Sequence, residues 1–325
     1  MSVHGAIVDA ERWAKTRTFH HSRYAAQRIA SERRQRVSVC VPARECAATV
    51  GEVVGVLKGL RDAGAIDQVV VVDAASADGT AELAEEAGAL VLQEAELMPE
   101  YGPVLGKGDA MWRALPSLEG DVVCFVDADT EEFGAHFVTG LLGPLVCEPE
   151  ASEVSFVKAF YRRPLDAGGE RGEEEGGGGR VNNLTARPAL AMFYPQLAEV
   201  RQPLAGEVAA RRELLEQLPF VTGYGVEIGM LIDVWAKVGL EGIAQVDLDE
   251  HRHAHQPLSA LAPMARAVMA TIAHRLEGDE LLEGWPERFQ AEDDPELDPD
   301  ADWERIEKLD PTPVARPPLR SVRAR

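Results

Sequence analysis

The chain is predicted to be an α/β protein, with a mostly parallel central sheet flanked by helices and a more helical second half. Three observations predict this. Apolar runs alternate with amphipathic segments across residues 36–126, the pattern of strands covered on both faces. Three of the runs end in Pro42, Asp73 and Asp127, and ligands on such sheets bind beyond the carboxyl ends of the strands. After residue 160 the spacing becomes helical, interrupted by a Gly-rich stretch.

Each element can be justified in turn. Residues 1–35 are polar with an Arg cluster (Arg23, Arg28, Arg33, Arg34, then Arg36) and read as a helical arm. RVSVCVPA, residues 36–43, is the first strand of the series, and 47–61 has helical periodicity. QVVVVD, 68–73, is the second strand, followed by Asp78-Gly79-Thr80 and a helix to about 87. Residues 89–93 form a third strand, 107–115 a helix and 121–126 a fourth strand. EVSFVKAFY, 153–161, alternates as an antiparallel strand would, and DAGGERGEEEGGGG, 166–179, is too polar to pack and reads as a mobile surface loop. Helices are expected at 184–198, 207–217, 225–239 and 258–277, with a strand at 242–248. From 291 onward acid, Pro and finally Arg dominate, the composition of a disordered tail. The expected division is therefore an arm (1–35), a ligand-binding α/β part (36–160), a second part (161–290) and a tail (291–325).

Bulk properties narrow the function. A chain of 325 residues can bury a large core. Its net charge of −22 argues against nucleic-acid or membrane-surface binding, because both present anions. A phosphate ligand would need placed Arg, Lys or metal. The four cysteines, Cys40, Cys46, Cys124 and Cys147, lack metal-ligand spacing and read as thiols in a reducing cytosol. No apolar run suits a membrane span or a signal peptide, so a cytoplasmic protein is expected.

The Asp127-Ala128-Asp129 strand end is the most constraining feature. Two carboxylates one residue apart can hold a hard divalent ion, which can neutralise a diphosphate leaving group. Acidic residues also sit at strand ends for solubility or helix capping, and the pair alone fits both readings equally. Gly106-Lys107-Gly108 opens a helix with small residues and a cation, which suits an anion, although GxxxxGK[ST] is absent. The Ser-x-Asp-Gly-Thr stretch at 76–80 is also explained as a turn and cap. In His251-Arg252-His253-Ala254-His255, alternate imidazoles can face one way on extended chain, but a solvated loop has the same composition. Arg180 can hold a carboxylate or phosphate through two parallel hydrogen bonds, or simply face solvent. Glu227 follows Gly225 at a helix start, where the dipole also favours an acid.

VPARECAATV, VVVVDAASADGT, GKGDA and FVDADT follow one another in the order seen in glycosyltransferases of the GT-A (nucleotide-diphospho-sugar transferase) fold, which the chain resembles. VNNLTARPALAMFYPQL, TGYGVEIGMLID and AQVDLDEHRHAHQPL narrow the likeness. Over about residues 36–275 the chain resembles the actinobacterial glucosyl-3-phosphoglycerate and mannosyl-3-phosphoglycerate synthases.

This resemblance implies a retaining, metal-dependent transfer of mannose or glucose from a nucleotide diphosphate sugar to 3-phosphoglycerate, for compatible-solute synthesis, by a homodimer whose 161–290 part binds the acceptor. It also implies roles. Pro42, Ala43, Glu45 and Ser76, with Asp73 close by, match nucleotide contacts. Lys107 faces the donor, Asp127 touches the donor sugar or ribose, and Asp129 binds Mg²⁺ or Mn²⁺ with His253, His251 being the alternative ligand. Gly179, Arg180, Val181 and Asn182 match the acceptor loop, with His255 near the substrates. Glu227 lies near the acceptor hydroxyl, and Glu227, Asp127 and Lys107 form the catalytic group. Asn182 and the His-rich run depart from the glucosyl pattern and favour mannose. Two rivals remain. A haloacid-dehalogenase-type phosphatase would need Thr or Val at 131, where this chain has Glu131. A non-catalytic nucleotide-sugar-binding protein would have no use for the full set of charged residues.

Overall fold

A computed structural model describes residues 3–163, 165–166, 173–174, 179–251, 258–278 and 313–323. Its centre is an eight-stranded sheet in the order β1-β11-β6-β9-β5-β2-β3-β4. The strands are β1 (Thr18–His20), β2 (Val37–Ala43), β3 (Gln68–Asp73), β4 (Leu90–Gln93), β5 (Val122–Phe125), β6 (Phe156–Arg162), β9 (Val208–Arg211) and β11 (Ile243–Glu250). All neighbours pair parallel except β9, which runs antiparallel to both β5 and β6. The carboxyl ends of β2, β3, β5, β6 and β11 therefore lie along one edge.

The β2 and β3 strands are largely apolar because both sheet faces are covered. One face carries α3 (Val50–Asp62), whose Val50, Val53, Val54, Leu57 and Leu60 recur at helical spacing, and α6 (His136–Val146). The other carries α5 (Lys107–Ala114), α9 (Val226–Val238) and α10 (Leu258–Gly278), packing Trp112, Ile228, Leu231, Val268 and Ile272. Shorter helices are α1 (Val3–Thr16), α2 (Ala26–Glu32), α4 (Thr80–Ala87), α7 (Arg187–Phe193) and α8 (Arg212–Leu215). Among the described residues no helix is long and apolar enough to cross a membrane.

Five expectations need correction. The helix expected at 207–217 is β9 followed by the one-turn α8. Its Val-Ala-Ala-Arg core has weak strand propensity, and pairing with a strand on each side overrides that preference. The 153–161 strand is antiparallel only to β9; it pairs parallel with β11. The N-terminal arm is not purely helical: β1 extends the sheet at β11, and buried Trp13 anchors α1 by donating Nε1–H to the Ile243 carbonyl at 2.8 Å. The end of the expected disordered tail folds back, as β12 (Ala315–Arg316) against β10 (Phe220–Val221) and a helix at Leu319–Arg323. Residues 279–312 lie outside the described part. So does most of the 166–179 loop, whose described pieces pair as β7 (Leu165–Asp166) and β8 (Glu173–Glu174). Helix α6 went unread because it is apolar on nearly every side and contains Pro144, so no amphipathic stripe marks it. The 184–198 helix is shorter, with α7 entered through a π-turn over Asn182–Ala186.

Candidate active site

The loops after β2 and β3 are bonded to each other. Glu45 takes a left-handed backbone (φ 52°), donates its N–H to Ser76 Oγ at 2.9 Å and accepts from the Ala77 amide at 2.9 Å. Asp73, 1% exposed, accepts from the Ser76 amide at 3.1 Å through Oδ2, while its buried Oδ1 has no hydrogen-bond partner among the described residues. A buried carboxylate oxygen of this kind suits a ligand donor, since leaving it unmatched is costly. Asp78 accepts from the Thr80 hydroxyl and from the Ala47 and Thr80 amides. Those bonds, the Thr80 hydroxyl first, hold its carboxyl below the usual range, as the turn-and-cap reading requires.

Facing this pair of loops, α5 begins at Lys107. Its Nζ lies 2.5 Å from Asp127 Oδ1 and 3.1 Å from Glu227 Oε1. Asp127 comes from the bend after β5 and Glu227 from the first turn of α9. Burial works against the ammonium, but the charges of Asp127 and Glu227 outweigh it and raise the Lys107 pKa well above the lysine norm. Glycine lets both sides close, and at Gly108 no other residue fits. A Cβ at Gly108 would sit 2.0 Å from the Val221 carbonyl, and one at Gly206 would sit 2.4 Å from Asp127 Oδ2 and 2.7 Å from Lys107 Nζ. The GKG and TGYG segments thus meet backbone to backbone, and the Arg201–Gly206 loop lies directly against the Lys107–Asp127 pair.

Beneath this triad lies a buried charged layer. Glu207, fully buried, accepts from His251 Nε2 at 3.0 Å and from the Tyr161 hydroxyl at 2.7 Å, and Arg163 donates to that hydroxyl at 2.8 Å. Burial pushes the Glu207 carboxyl up, but the His251 charge and hydrogen bond, with Arg163 and Tyr161, bring it well below the usual range. Thr130, just past Asp129, lies 3.2 Å from His251 Nε2, and the ring stacks on Tyr161 at 4.4 Å. Lys158 donates to the Ala205 carbonyl at 2.8 Å, and burial pushes its pKa down to about 8.

Known proteins fit this geometry. The model of Glycosyl transferase family 2 matches residues 38–160. A protein of Petrotoga mobilis named glucosyl-3-phosphoglycerate synthase is 40% identical over 80% of this chain and 81% of its own length. The chain belongs to the glucosyl-3-phosphoglycerate synthase family. A second member, from Mycolicibacterium smegmatis, is 46% identical over 74% of this chain and 77% of its own length. The solved mannosyl-3-phosphoglycerate synthase of Rubrobacter xylanophilus superposes with a TM-score of 0.81 at 41% identity, covering 96% of this chain and 98% of that one. The Mycobacterium tuberculosis glucosyl-3-phosphoglycerate synthase, solved with Mn²⁺, UDP and glucosyl-3-phosphoglycerate, superposes with a TM-score of 0.73 at 36% identity over 92% and 96% of the two chains. The fold is thus GT-A, and the enzyme class is glycosyltransferase.

Within this family frame, Lys107, Asp127 and Glu227 come together, as do Asp73, Glu45 and Ser76. Pro42 and Ala43 close β2 beside them, with Ala43 buried. Asp127 and Asp129 follow β5 one residue apart, the first half-buried and the second exposed. Such oxygen donors fit a hard divalent ion. Half-buried Gly179 (φ 69°) and Arg180 open the π-turn into α7, with Val181 turned inward. Asn182 is 7% exposed and bonded to the Arg201 carbonyl and the Leu204 amide, both at 3.4 Å, which ties the π-turn to the Arg201–Leu204 loop. His251 is 2% exposed, with Nε2 3.0 Å from Glu207 Oε1 and 3.2 Å from Thr130 Oγ1. His253 and His255 lie outside the described residues. Sequence reasoning missed Gly206, Glu207, Lys158 and Arg163. Gly206 immediately precedes, and Glu207 opens, the segment misread as helix, while Lys158 and Arg163 sat in and just after a strand that otherwise read as packing.

Proposed function

We propose that the chain transfers mannose or glucose from a nucleotide diphosphate sugar to 3-phosphoglycerate, with retention at the anomeric carbon, for synthesis of glycosylglycerate solutes. The convergence of Lys107, Asp127 and Glu227 beside exposed Asp129 carries this reading. It is supported by the named substrates of the relatives, including a solved neighbour holding Mg²⁺ and UDP. The nucleoside lies against Pro42, Ala43, Glu45, Asp73 and Ser76, where Asp73 Oδ1 takes a donor from the ligand. Mg²⁺ or Mn²⁺, held by Asp129 and His253, supplies neutralising charge to the diphosphate when bound.

The protein's own groups do the positioning. Lys107 places a fixed positive charge at the diphosphate as it departs and holds Asp127 at the sugar. Glu227 orients the acceptor hydroxyl. Gly179, Arg180 and Val181, with backbone amides at the following turn and His255, hold the acceptor anion, Arg180 by paired hydrogen bonds. Asn182 keeps that turn in place from beneath. The donor half is 36–160 and the acceptor half 161–290. A homodimer is part of the proposal, supported by exposed Leu184 and Met192 on the acceptor segment. So is a cytoplasmic location, supported by four buried free cysteines.

Turnover of purified protein with UDP-glucose, GDP-glucose and GDP-mannose, each with 3-phosphoglycerate and Mg²⁺, tests the reading. Hexosyl-3-phosphoglycerate is the expected product from at least one donor. Phosphate release without hexosyl transfer would overturn it in favour of a phosphatase, and nucleotide-sugar binding without turnover in favour of a binding protein.

A further inference from the structure

A second cluster of metal-ligating side chains lies at the β1–β11 end of the strand order, away from β2 and β3. His20 ends β1 and His21 opens the turn that follows. Both imidazoles reach one carboxylate, with His20 Nε2 3.2 Å from Asp249 Oδ1 and His21 Nε2 2.6 Å from Asp249 Oδ2. The three ligand atoms lie within 4.8 Å of one another. Asp249 sits in the left-handed region (φ 66°), where the pairing of β11 with β6 shifts register between Asp247 and Glu250. That backbone swings the carboxylate towards the first strand. The His21 side chain is only 19% exposed, and its ring packs 4.7 Å from that of His136. A cavity of about 230 Å³ adjoins the cluster, lined by His21, His136, Glu131, Glu132, Asp249 and Glu250.

We propose that His20, His21 and Asp249 form a second divalent-metal site, of the nitrogen-and-oxygen kind that Zn²⁺ takes. Two imidazoles and a carboxylate make up three of the four positions Zn²⁺ prefers, and the cavity leaves room for water at the fourth. The acidic lining adds a field that favours a cation. Hard Mg²⁺ binds such a nitrogen-rich set poorly, so the two sites differ in kind. The bound ion staples the N-terminal strand to β11, which runs directly into the 251–255 segment.

The test is a Zn²⁺ titration of chelator-treated full-length protein in excess Mg²⁺, read by calorimetry and by thermal melting. Saturable binding of about one Zn²⁺ per chain with a rise in Tm is expected, since a ligand of the folded state stabilises it. His21→Ala and Asp249→Asn should each weaken binding by about tenfold or more. On the unmutated chain, Zn²⁺ should shield His20 and His21 from diethyl pyrocarbonate, read by peptide mass spectrometry. No saturable binding in excess Mg²⁺, or binding that leaves both histidines fully reactive, would overturn the site and leave the cluster a plain hydrogen-bonded pair of histidines on an aspartate.

Discussion

The Lys107 ammonium lies 3.1 Å from the Glu227 carboxylate, joining the first turn of α5 to the first turn of α9. Asp127 holds the same nitrogen from the β5 end, so one cation keeps two carboxylates from repelling each other at the mouth of the crevice. Replacing it removes both the charge aimed at the diphosphate and the brace between two helices. Lys107→Met is expected to lower kcat by about a hundredfold or more, the scale of losing one preorganised charge-stabilising group. Lys107→Arg should not restore it, because Gly206 packs against the nitrogen too closely for a planar guanidinium. Steady-state kinetics on both variants, with circular dichroism to confirm folding, decide the point; a kcat within about threefold of wild type would remove Lys107 from the chemistry.

Asp127 and Asp129 are one residue apart yet stand in different surroundings, the first ion-paired and the second exposed. Asp129→Asn should therefore weaken Mn²⁺ binding in the presence of nucleotide by at least about tenfold, whereas Asp127→Asn should lower kcat and leave the Mn²⁺ affinity nearly unchanged. Electron paramagnetic resonance of free Mn²⁺ during titration separates the two. Equal loss of Mn²⁺ affinity in both variants would mean that the aspartates share the ion.

Much of the donor half was legible because it follows simple rules. Strands β2, β3 and β5 are apolar runs ending in charge or Pro, and α3 shows a clean stripe. The convergence of Asp73 and Asp127 follows from parallel strands alone. Lys107 and Glu227 could be nominated from helix starts, but their 3.1 Å contact depends on Gly108 letting α5 approach Val221, a tertiary fact with no local signal. Antiparallel β9 was illegible for the opposite reason: its Ala209, Ala210 and Arg211 favour helix, and the gap between β5 and β6 makes the segment a strand. That misreading also concealed Glu207 and Gly206, which lead into it.

The end of the chain clamps both glycine-rich segments. Arg316 donates to Asp109 at 2.7 and 2.6 Å, and Asp109, fully buried, also receives Arg113 at 3.0 Å. The Val314 carbonyl accepts from the Thr222 amide at 2.8 Å, next to Gly223, and the Pro317 carbonyl accepts from Trp112 Nε1 at 2.8 Å. Arg316→Ala leaves Asp109 with one cation in place of two and should cost about 2–3 kcal/mol, below the full cost of breaking a buried pair because Arg113 remains. Arg316→Lys should recover only part of it, lacking the planar fork. Denaturant unfolding measures the loss. A chain lacking residues 313–325 should also turn over more slowly, since Thr222 and Gly223 lose their anchor; unchanged kcat and stability would show the docked segment to be dispensable.

Lys158 carries the clearest pH dependence. It is buried, donates to the Ala205 carbonyl, and thereby fixes the loop whose next residue, Gly206, rests on Asp127 and Lys107. Burial lowers its pKa from 10.5 to about 8, with Glu227 and Glu207 opposing the shift and Lys107 reinforcing it. The unfolded chain holds this proton up to about pH 10.5 while the folded chain releases it near pH 8. Between these values the unfolded state binds more protons, so this group makes stability rise with pH; below pH 8 the cost of burying the charge is present in full. That cost is about 3 kcal/mol for a shift of this size. Lys158→Met removes the charge and should flatten the stability profile between pH 8 and 10.5, with stability at pH 7 unchanged or raised. Turnover should move the other way, with kcat falling several-fold as the loop loses its carbonyl anchor while both KM values change little. Urea unfolding across the pH range and kinetics at pH 7 test the two halves separately. A variant that keeps the wild-type pH slope would show that Lys158 is not the titrating group, and one that keeps full kcat would show that the Ala205 carbonyl needs no donor.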